Sequence, residues 1–182
     1  IDLNQLNRSE INKHIGFVLQ DVFLFSDTIH NNITLGNQAI SREQVIQAAK
    51  KIGAHDFIMK IPQDYDHVIG ERGGVLSVGQ RQLLAFIRAM VYEPMILILD
   101  EATSSIDSES EILIQKAIAE VTKNRTSIII AHRLSTIQQA DQIHVMEKGQ
   151  IIQTGSHASL LSVEGAYKTL FEKQFNELDE KV

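Results

Sequence analysis

The chain has 182 residues, of which 43% are hydrophobic and 22% are charged, and these are the proportions of an ordinary globular domain. Its apolar runs fall far short of the roughly 20 residues that a membrane-spanning helix needs, so this segment is not expected to cross a bilayer. A net charge of -6 without a basic stretch argues against nucleic-acid binding, and the absence of cysteine excludes disulfides and thiolate metal sites.

Three apolar runs predict the strands of a mostly parallel sheet. Each run is apolar almost throughout, as expected of parallel strands that are covered on both faces. Helical patterns alternate with these runs, which predicts an α/β fold built from βαβ units. The runs cover residues 15–20, 95–99 and 127–131.

Two helices are predicted between the first and second strands. Ser41 and Gln44 have the spacing of a capping box, and a helical repeat of apolar residues follows them. A second helix is predicted over residues 77–92, before a proline. We interpret residues 41–92 as a helical subdomain, inserted into a sheet core that comprises residues 1–40 and 93–182.

The remaining predicted elements follow the second strand. A helix after Asp107, with apolar residues on one face, would complete a right-handed crossover to the third strand. Residues 143–146 and 151–154 flank a turn that contains Gly149, which predicts a β-hairpin. A last amphipathic helix is predicted at residues 165–175.

Polar residues follow all three predicted strands. These residues are Gln20, Asp100 with Glu101, and His132. Ligands of open α/β sheets bind outside the carboxyl ends of the strands, so we expect these side chains to converge. Asp100 would hold Mg²⁺, which prefers oxygen ligands, and Glu101 would orient or deprotonate an attacking water. Each residue taken alone also fits a structural role, because apolar strands often end in an acidic residue or a hydrogen-bonded histidine.

A second candidate site lies at the start of the 77–92 helix. Ser77 and Gln80 have the capping-box spacing, so simple helix initiation explains them. The N-terminus of a helix, with unpaired backbone N–H groups and a glycine such as Gly79, also attracts phosphate. The residues alone favour the cap.

Taken together, five motifs in order resemble the nucleotide-binding domain of ATP-binding-cassette (ABC) transporters. These motifs are Gln20, Leu76 to Gln80, Met95 to Glu101, Ser104 to Asp107, and Ala131 to Arg133. The resemblance covers essentially the whole chain. It implies a P-loop-NTPase-like sheet core with an inserted helical subdomain, and ATP and Mg²⁺ as cofactors.

The resemblance also implies a role for each site residue. Gln20 would be the Q-loop glutamine and would help to bind Mg²⁺ together with Asp100, the Walker B aspartate. Glu101 would act on the attacking water, and His132, the switch histidine, would contact the γ-phosphate. The residues that would complete the nucleotide site of a partner cassette belong to the signature and D-loop motifs and are Ser77, Gly79, Gln80 and Asp107.

The segment after Gln20 and the segment around Glu71 and Arg72 resemble the exporter branch of this family. The resemblance implies an ATPase motor that works between two head-to-tail cassettes, identical or different, at the cytoplasmic face of the cell membrane. Its partners would be a second cassette and a transmembrane domain of the same or an associated chain, and nucleic acid would not be a partner. The alternatives are a soluble cassette ATPase that acts on nucleic acid or ribosomes, and a non-catalytic fragment that self-associates.

The sequence departs from the family pattern at three places. The signature has Val78 where glycine is usual, and the D-loop has Ser105 and Ile106 where Ala-Leu is usual. Valine would restrict the backbone near the phosphate and weaken the contact. No Gly-Lys pair of a phosphate-binding loop occurs in these residues, so we interpret the chain as a truncated cassette that is inactive alone.

The segment that carries this loop in the family includes a strand of the sheet. We expect that strand to belong between the 95–99 and 127–131 runs, so that its absence leaves unpaired edges and an uncovered apolar face. The gap would then be closed by a second copy of the chain, by residues 1–6, or by a bound upstream peptide.

Overall fold

The computed structural model describes residues 2, 5, 7, 11, 13–70, 76–100, 108–131 and 134–179. The chain divides into two compact units, residues 1–130 and 131–182. Within the described residues, no helix is both long and apolar enough to cross a membrane.

The first unit contains a three-stranded parallel sheet in the order β1-β2-β3. The strands are β1 (Ile15–Val18), β2 (Ile96–Asp100) and β3 (Thr126–Ile130). All three predicted strands and the α/β class are confirmed. The first strand ends at Val18 and therefore stops two residues before Gln20, the end that the sequence predicts.

The predicted position of an additional strand between the second and third runs is wrong. β2 pairs directly with β3, from Ile96 beside Thr126 to Asp100 beside Ile130. Because the two strands exchange backbone hydrogen bonds along their full length, no gap for another strand exists between them. The predicted closure by residues 1–6 falls mostly on residues outside the described part of the chain.

The two faces of this sheet differ in burial. Leu97 and Leu99 belong to the hydrophobic core on one face, whereas Phe17, Ile128 and Ile130 on the other face are more than half exposed. The expectation that both faces of these strands are covered is therefore wrong for the described residues. The expected uncovered apolar face is confirmed.

Five helices of the first unit are described. They are α1 (Ile29–Thr34), α2 (Arg42–Ile52), α3 (His55–Met59), α4 (Val78–Tyr92) and α5 (Ser108–Thr122), with a short 3₁₀ helix at Asp64–Asp66. The predicted capping box is confirmed, because Ser41 and Gln44 exchange side-chain to backbone hydrogen bonds. Helix α2 ends at Gly53, whose φ of 79° is a left-handed conformation that glycine adopts without strain.

Helix α4 lies at the centre of this unit. It contacts α1, α2, α5 and β1. It is buried on nearly every side, as expected of a helix without a continuous polar face. Four of its apolar side chains are at most 2% exposed: Leu83, Leu84, Phe86 and Ile87. The boundaries 41–92 that we assign to the helical subdomain stay a prediction.

The second unit contains the predicted hairpin and terminal helix. Strands β4 (Ile143–Glu147) and β5 (Gln150–Gly155) pair antiparallel. The turn between them places Lys148 and Gly149 at positive φ, as tight hairpin turns require. Helices α6 (Leu134–Gln138), α7 (His157–Leu161) and α8 (Ala166–Asp179) complete the unit, around a small core of Val145, Leu160 and Tyr167.

Candidate nucleotide-binding site

The parallel register brings Gln20 and Asp100 to the same edge of the sheet. Val18, the last residue of β1, lies beside Leu99, so Gln20 follows two residues beyond the strand, near the level at which Asp100 ends β2. Gln20 is exposed and Asp100 is partly buried. The register therefore places both residues at the predicted edge of the sheet, and the convergence of their side chains on a ligand stays a prediction.

Glu101, Asp107 and His132 lie outside the described residues. The chain itself fixes where two of them attach. Glu101 follows the last residue of β2, and His132 follows Ala131 at the end of β3. Their roles stay predictions.

The sheet edge is held in place by close packing at the other end of the strands. Gly16 pairs with Leu97, and a Cβ atom added at Gly16 would lie 2.6 Å from Cγ of Pro94. Only glycine at this position lets β1 lie so close to the chain that enters β2. The buried side chains of Leu97 and Leu99 then anchor the strand that presents Asp100.

Asp100 and Gln20 fit a magnesium ion by their chemistry. A carboxylate oxygen and an amide oxygen are the hard donors that Mg²⁺ prefers, and the ion usually keeps several waters and phosphate oxygens besides. Among the described residues no group of three or more His, Asp or Glu side chains could hold a metal alone.

Ser77 and Gln80 form a capping box at the start of α4. Ser77 Oγ accepts a hydrogen bond from the Gln80 backbone N–H at 3.2 Å, and Gln80 Oε1 accepts one from the Ser77 N–H at 3.0 Å. The interpretation as a helix cap is thus confirmed. Both side-chain oxygens act as acceptors in this arrangement, so the Ser77 O–H and the Gln80 amide N–H groups are the ones that would donate to a phosphate.

Val78 occupies the first position of α4, and its φ is not positive. Valine therefore adopts an ordinary helical conformation here, and the expected weakening of the phosphate contact stays a prediction. Gly79 is buried in the first turn, whereas the Val78 side chain is 45% exposed. The difference from the usual glycine is therefore an apolar side chain at a helix N-terminus whose N–H groups favour anions.

Two residues with no predicted role, Asn32 and Arg88, hold the segment after Gln20. Asn32 and Arg88 are 56 positions apart and meet through a hydrogen bond. Asn32 belongs to the residues that resemble the exporter branch, but helix α1 has only two apolar residues, Ile29 and Ile33, too few for a repeat that would reveal it. Arg88 lies within the predicted α4, and only the fold shows its contact.

A parallel sheet with Gln20 and Asp100 at its carboxyl edge, accompanied by a capped helix that begins Ser-Val-Gly-Gln, is the arrangement of a nucleotide-binding α/β domain. Residues 1–104 match the family model described as ABC transporter. The chain belongs to the ABC transporter family.

Relatives and one solved structure support this assignment. The chain is 52% identical over 173 residues to an uncharacterized ABC transporter ATP-binding protein of Sinorhizobium fredii. This match covers 95% of this chain and 30% of that protein. It is 46% identical over 176 residues to an ATP-dependent lipid A-core flippase of Syntrophus aciditrophicus, with 97% and 29% covered. It is 51% identical over 164 residues to a putative multidrug export ATP-binding/permease protein of Staphylococcus aureus, with 90% and 28% covered.

One similar solved structure is that of a bacterial Atm1-family ABC exporter with ATP bound. The TM-score is 0.85 at 41% identity, over 95% of this chain and 30% of that one. This match confirms the predicted fold. The chain spans about 30% of the length of the curated relatives that it matches.

Proposed function

We propose that this chain is part of the ATP-hydrolysing motor of a membrane exporter, in which ATP is bound and hydrolysed between two cassettes. The observation that carries the proposal is the placement of Gln20 and Asp100 at one sheet edge, in a fold that matches an exporter with ATP bound. The signature residues stand at the start of a capped and buried helix. Relatives named as a flippase and as multidrug export proteins favour the exporter branch.

In this proposal the residues at the sheet edge serve one nucleotide. Bound Mg²⁺ would neutralise charge on the phosphates of ATP. Asp100 and Gln20 would hold the ion through their oxygens, and Glu101 would orient the attacking water and accept its proton. His132 would donate a hydrogen bond to the γ-phosphate.

The signature residues would serve the nucleotide of the partner cassette. The Ser77 O–H, the Gln80 amide and the N–H groups of the first turn of α4 would donate to its phosphate, with Gly79 allowing close approach. Asp107 would lie at the same interface.

Two exposed aromatic residues support a partnership with a transmembrane domain. Phe23 and Phe25 follow Gln20 closely, are 66% and 52% exposed, and stack edge to face with ring centroids 4.9 Å apart. A pair of large apolar side chains held together in water is typical of an interaction surface. We infer that the transmembrane domain, in the same or an associated chain, covers this pair at the cytoplasmic face of the membrane.

This contact can be tested by labelling with a thiol reagent. The chain contains no cysteine, so Phe23→Cys introduces a single site into it. A water-soluble maleimide should label this site much more slowly in the intact, membrane-embedded protein than in the 182-residue chain. Ile112→Cys is the control, because Ile112 is 70% exposed in helix α5. Equal labelling rates at Phe23→Cys in both preparations would contradict the contact.

The function itself is tested by ATP turnover. The intact protein, purified in detergent or vesicles, should hydrolyse ATP only when Mg²⁺ is present. The 182-residue chain should show no significant turnover, because its sequence includes no phosphate-binding Gly-Lys motif to cradle the β- and γ-phosphates. An intact protein without Mg²⁺-dependent turnover would contradict the proposed function, and robust turnover by the chain alone would contradict the predicted inactivity.

A further inference from the structure

The segment that follows Gln20 is held by one buried side chain. Asn32, in helix α1, is 1% exposed. Its Oδ1 accepts a hydrogen bond from the Phe25 N–H at 2.8 Å, and its Nδ2 donates to the carbonyl oxygens of Phe25, Asp27 and Thr28 at 3.0, 3.2 and 3.0 Å. An amide has only two N–H groups, so one is shared between two carbonyls. The hydrogen bonds of this side chain thus all go to the backbone of residues 25–28.

The backbone of the same residue is held by helix α4. Arg88 donates from Nε and Nη2 to the Asn32 carbonyl oxygen, at 3.1 and 2.8 Å. Tyr92, one turn further along α4, donates its O–H to the Thr34 carbonyl at 2.7 Å. The last carbonyls of a helix need partners from outside it, and here α4 supplies them.

The Arg88 contact lies in a mostly apolar environment. Burial lowers the pKa of the Arg88 guanidinium, because the charged group has lost much of its hydration. A buried cation depends on the hydrogen bonds that replace water, so its position is fixed by the Asn32 carbonyl. Two hydrogen bonds from one guanidinium thus tie the end of α1 to α4.

Helix α4 carries the signature residues at its other end. It is continuous from Val78 to Tyr92, and its middle is fixed in the core by Phe86 and Ile87. Asn32 thus contacts two functional segments at once. Its side chain holds the segment after Gln20, and its carbonyl holds the helix that begins at Ser77.

We propose that Asn32 is a positioning residue that couples the segment after Gln20 to the signature helix α4. In the proposed function, Gln20 helps to bind one nucleotide, and the start of α4 helps to bind the nucleotide of the partner cassette. Asn32 therefore makes the geometry of one nucleotide site depend on the geometry of the other. This inference rests on the proposed function.

The neighbouring Asn31 provides a matched control. It is exposed, and its side chain donates to the exposed Asp27 carboxylate at 2.9 Å, without contact to α4 among the described hydrogen bonds. Asn31→Ala and Asn32→Ala remove the same atoms from adjacent positions of one helix. Asn31→Ala removes one exposed side-chain contact to Asp27. Only Asn32→Ala removes the hydrogen bonds to the backbone of residues 25–28.

The test uses the intact protein and measures kcat and KM for ATP per folded molecule. Asn32→Ala should lower kcat by about 3- to 30-fold, the range for residues that couple two sites, and leave KM nearly unchanged. Asn31→Ala should stay close to the wild type. Hydrogen exchange provides a second measurement, whose result a change in stability alone would not alter. ATP should slow exchange both in residues 25–34 and in residues 77–84 of the wild type, and in only one of the two segments of Asn32→Ala.

Two results would overturn the inference. One is an Asn32→Ala protein with the kcat and the two-segment exchange response of the wild type. The other is a loss of activity that matches the loss of folded protein, which would show a purely structural role. If Asn32→Ala does not fold, Tyr92→Phe is used instead, because it removes one hydroxyl at a partly exposed position. This variant should weaken the hydrogen-exchange response to ATP in one of the two segments. An unchanged response would overturn the inference. A wild type without ATP turnover would instead contradict the proposed function.

Discussion

Replacing Glu101 by glutamine in the intact protein is expected to lower kcat for ATP hydrolysis by roughly 10² to 10⁴, the range for loss of a positioned general base. Glu101 follows Asp100, which ends β2 at the sheet edge shared with Gln20. Glutamine keeps the shape of the side chain but cannot accept the proton of the attacking water. Binding of ATP should persist, because Asp100, Gln20 and the phosphate-binding groups are unchanged.

The measurement is steady-state turnover combined with a nucleotide-binding titration on the same preparation. Glu147→Gln serves as the control, since Glu147 is an exposed residue of the hairpin strand β4 and should not affect turnover. An unchanged kcat in Glu101→Gln would remove Glu101 from the mechanism, and with it the centre of the assigned site. A loss of ATP binding together with turnover would point to a folding or metal-binding role.

The sequence predicts which edge of the sheet carries Gln20 and Asp100, because the end of an apolar run is a local property, although β1 ends two residues before Gln20. An apolar run that stops at a polar residue defines the carboxyl end of a strand, and parallel pairing then aligns the ends. The capping boxes at Ser41 and Ser77 are likewise visible in sequence, since each depends on two residues three positions apart.

The neighbours of a strand are not a local property. The direct pairing of β2 with β3 joins residues about 30 positions apart, and the runs themselves are equally compatible with an intervening strand. The contact between Asn32 and Arg88 spans 56 positions, and no periodic pattern connects them.

The centre of the fold can be tested by removing one buried ring from α4. Phe86→Ala is expected to destabilise the chain by about 3 to 5 kcal/mol, the usual cost of truncating a buried phenylalanine. Phe86 is 2% exposed and belongs to the core cluster around which the sheet and helices pack. The loss combines the lost burial of the ring with a cavity that the surrounding helices close only in part.

The measurement is urea unfolding of the 182-residue chain, followed by circular dichroism, with Phe23→Ala as the control. The two substitutions delete the same atoms, but the Phe23 ring is 66% exposed and contacts Phe25 edge to face. Phe23→Ala should therefore cost at most about 1 kcal/mol. Equal losses of unfolding free energy in Phe86→Ala and Phe23→Ala would mean that α4, which begins with the signature residues, is not anchored in the core as the structure shows. The unfolding midpoint of Phe86→Ala should instead fall well below those of the wild type and Phe23→Ala.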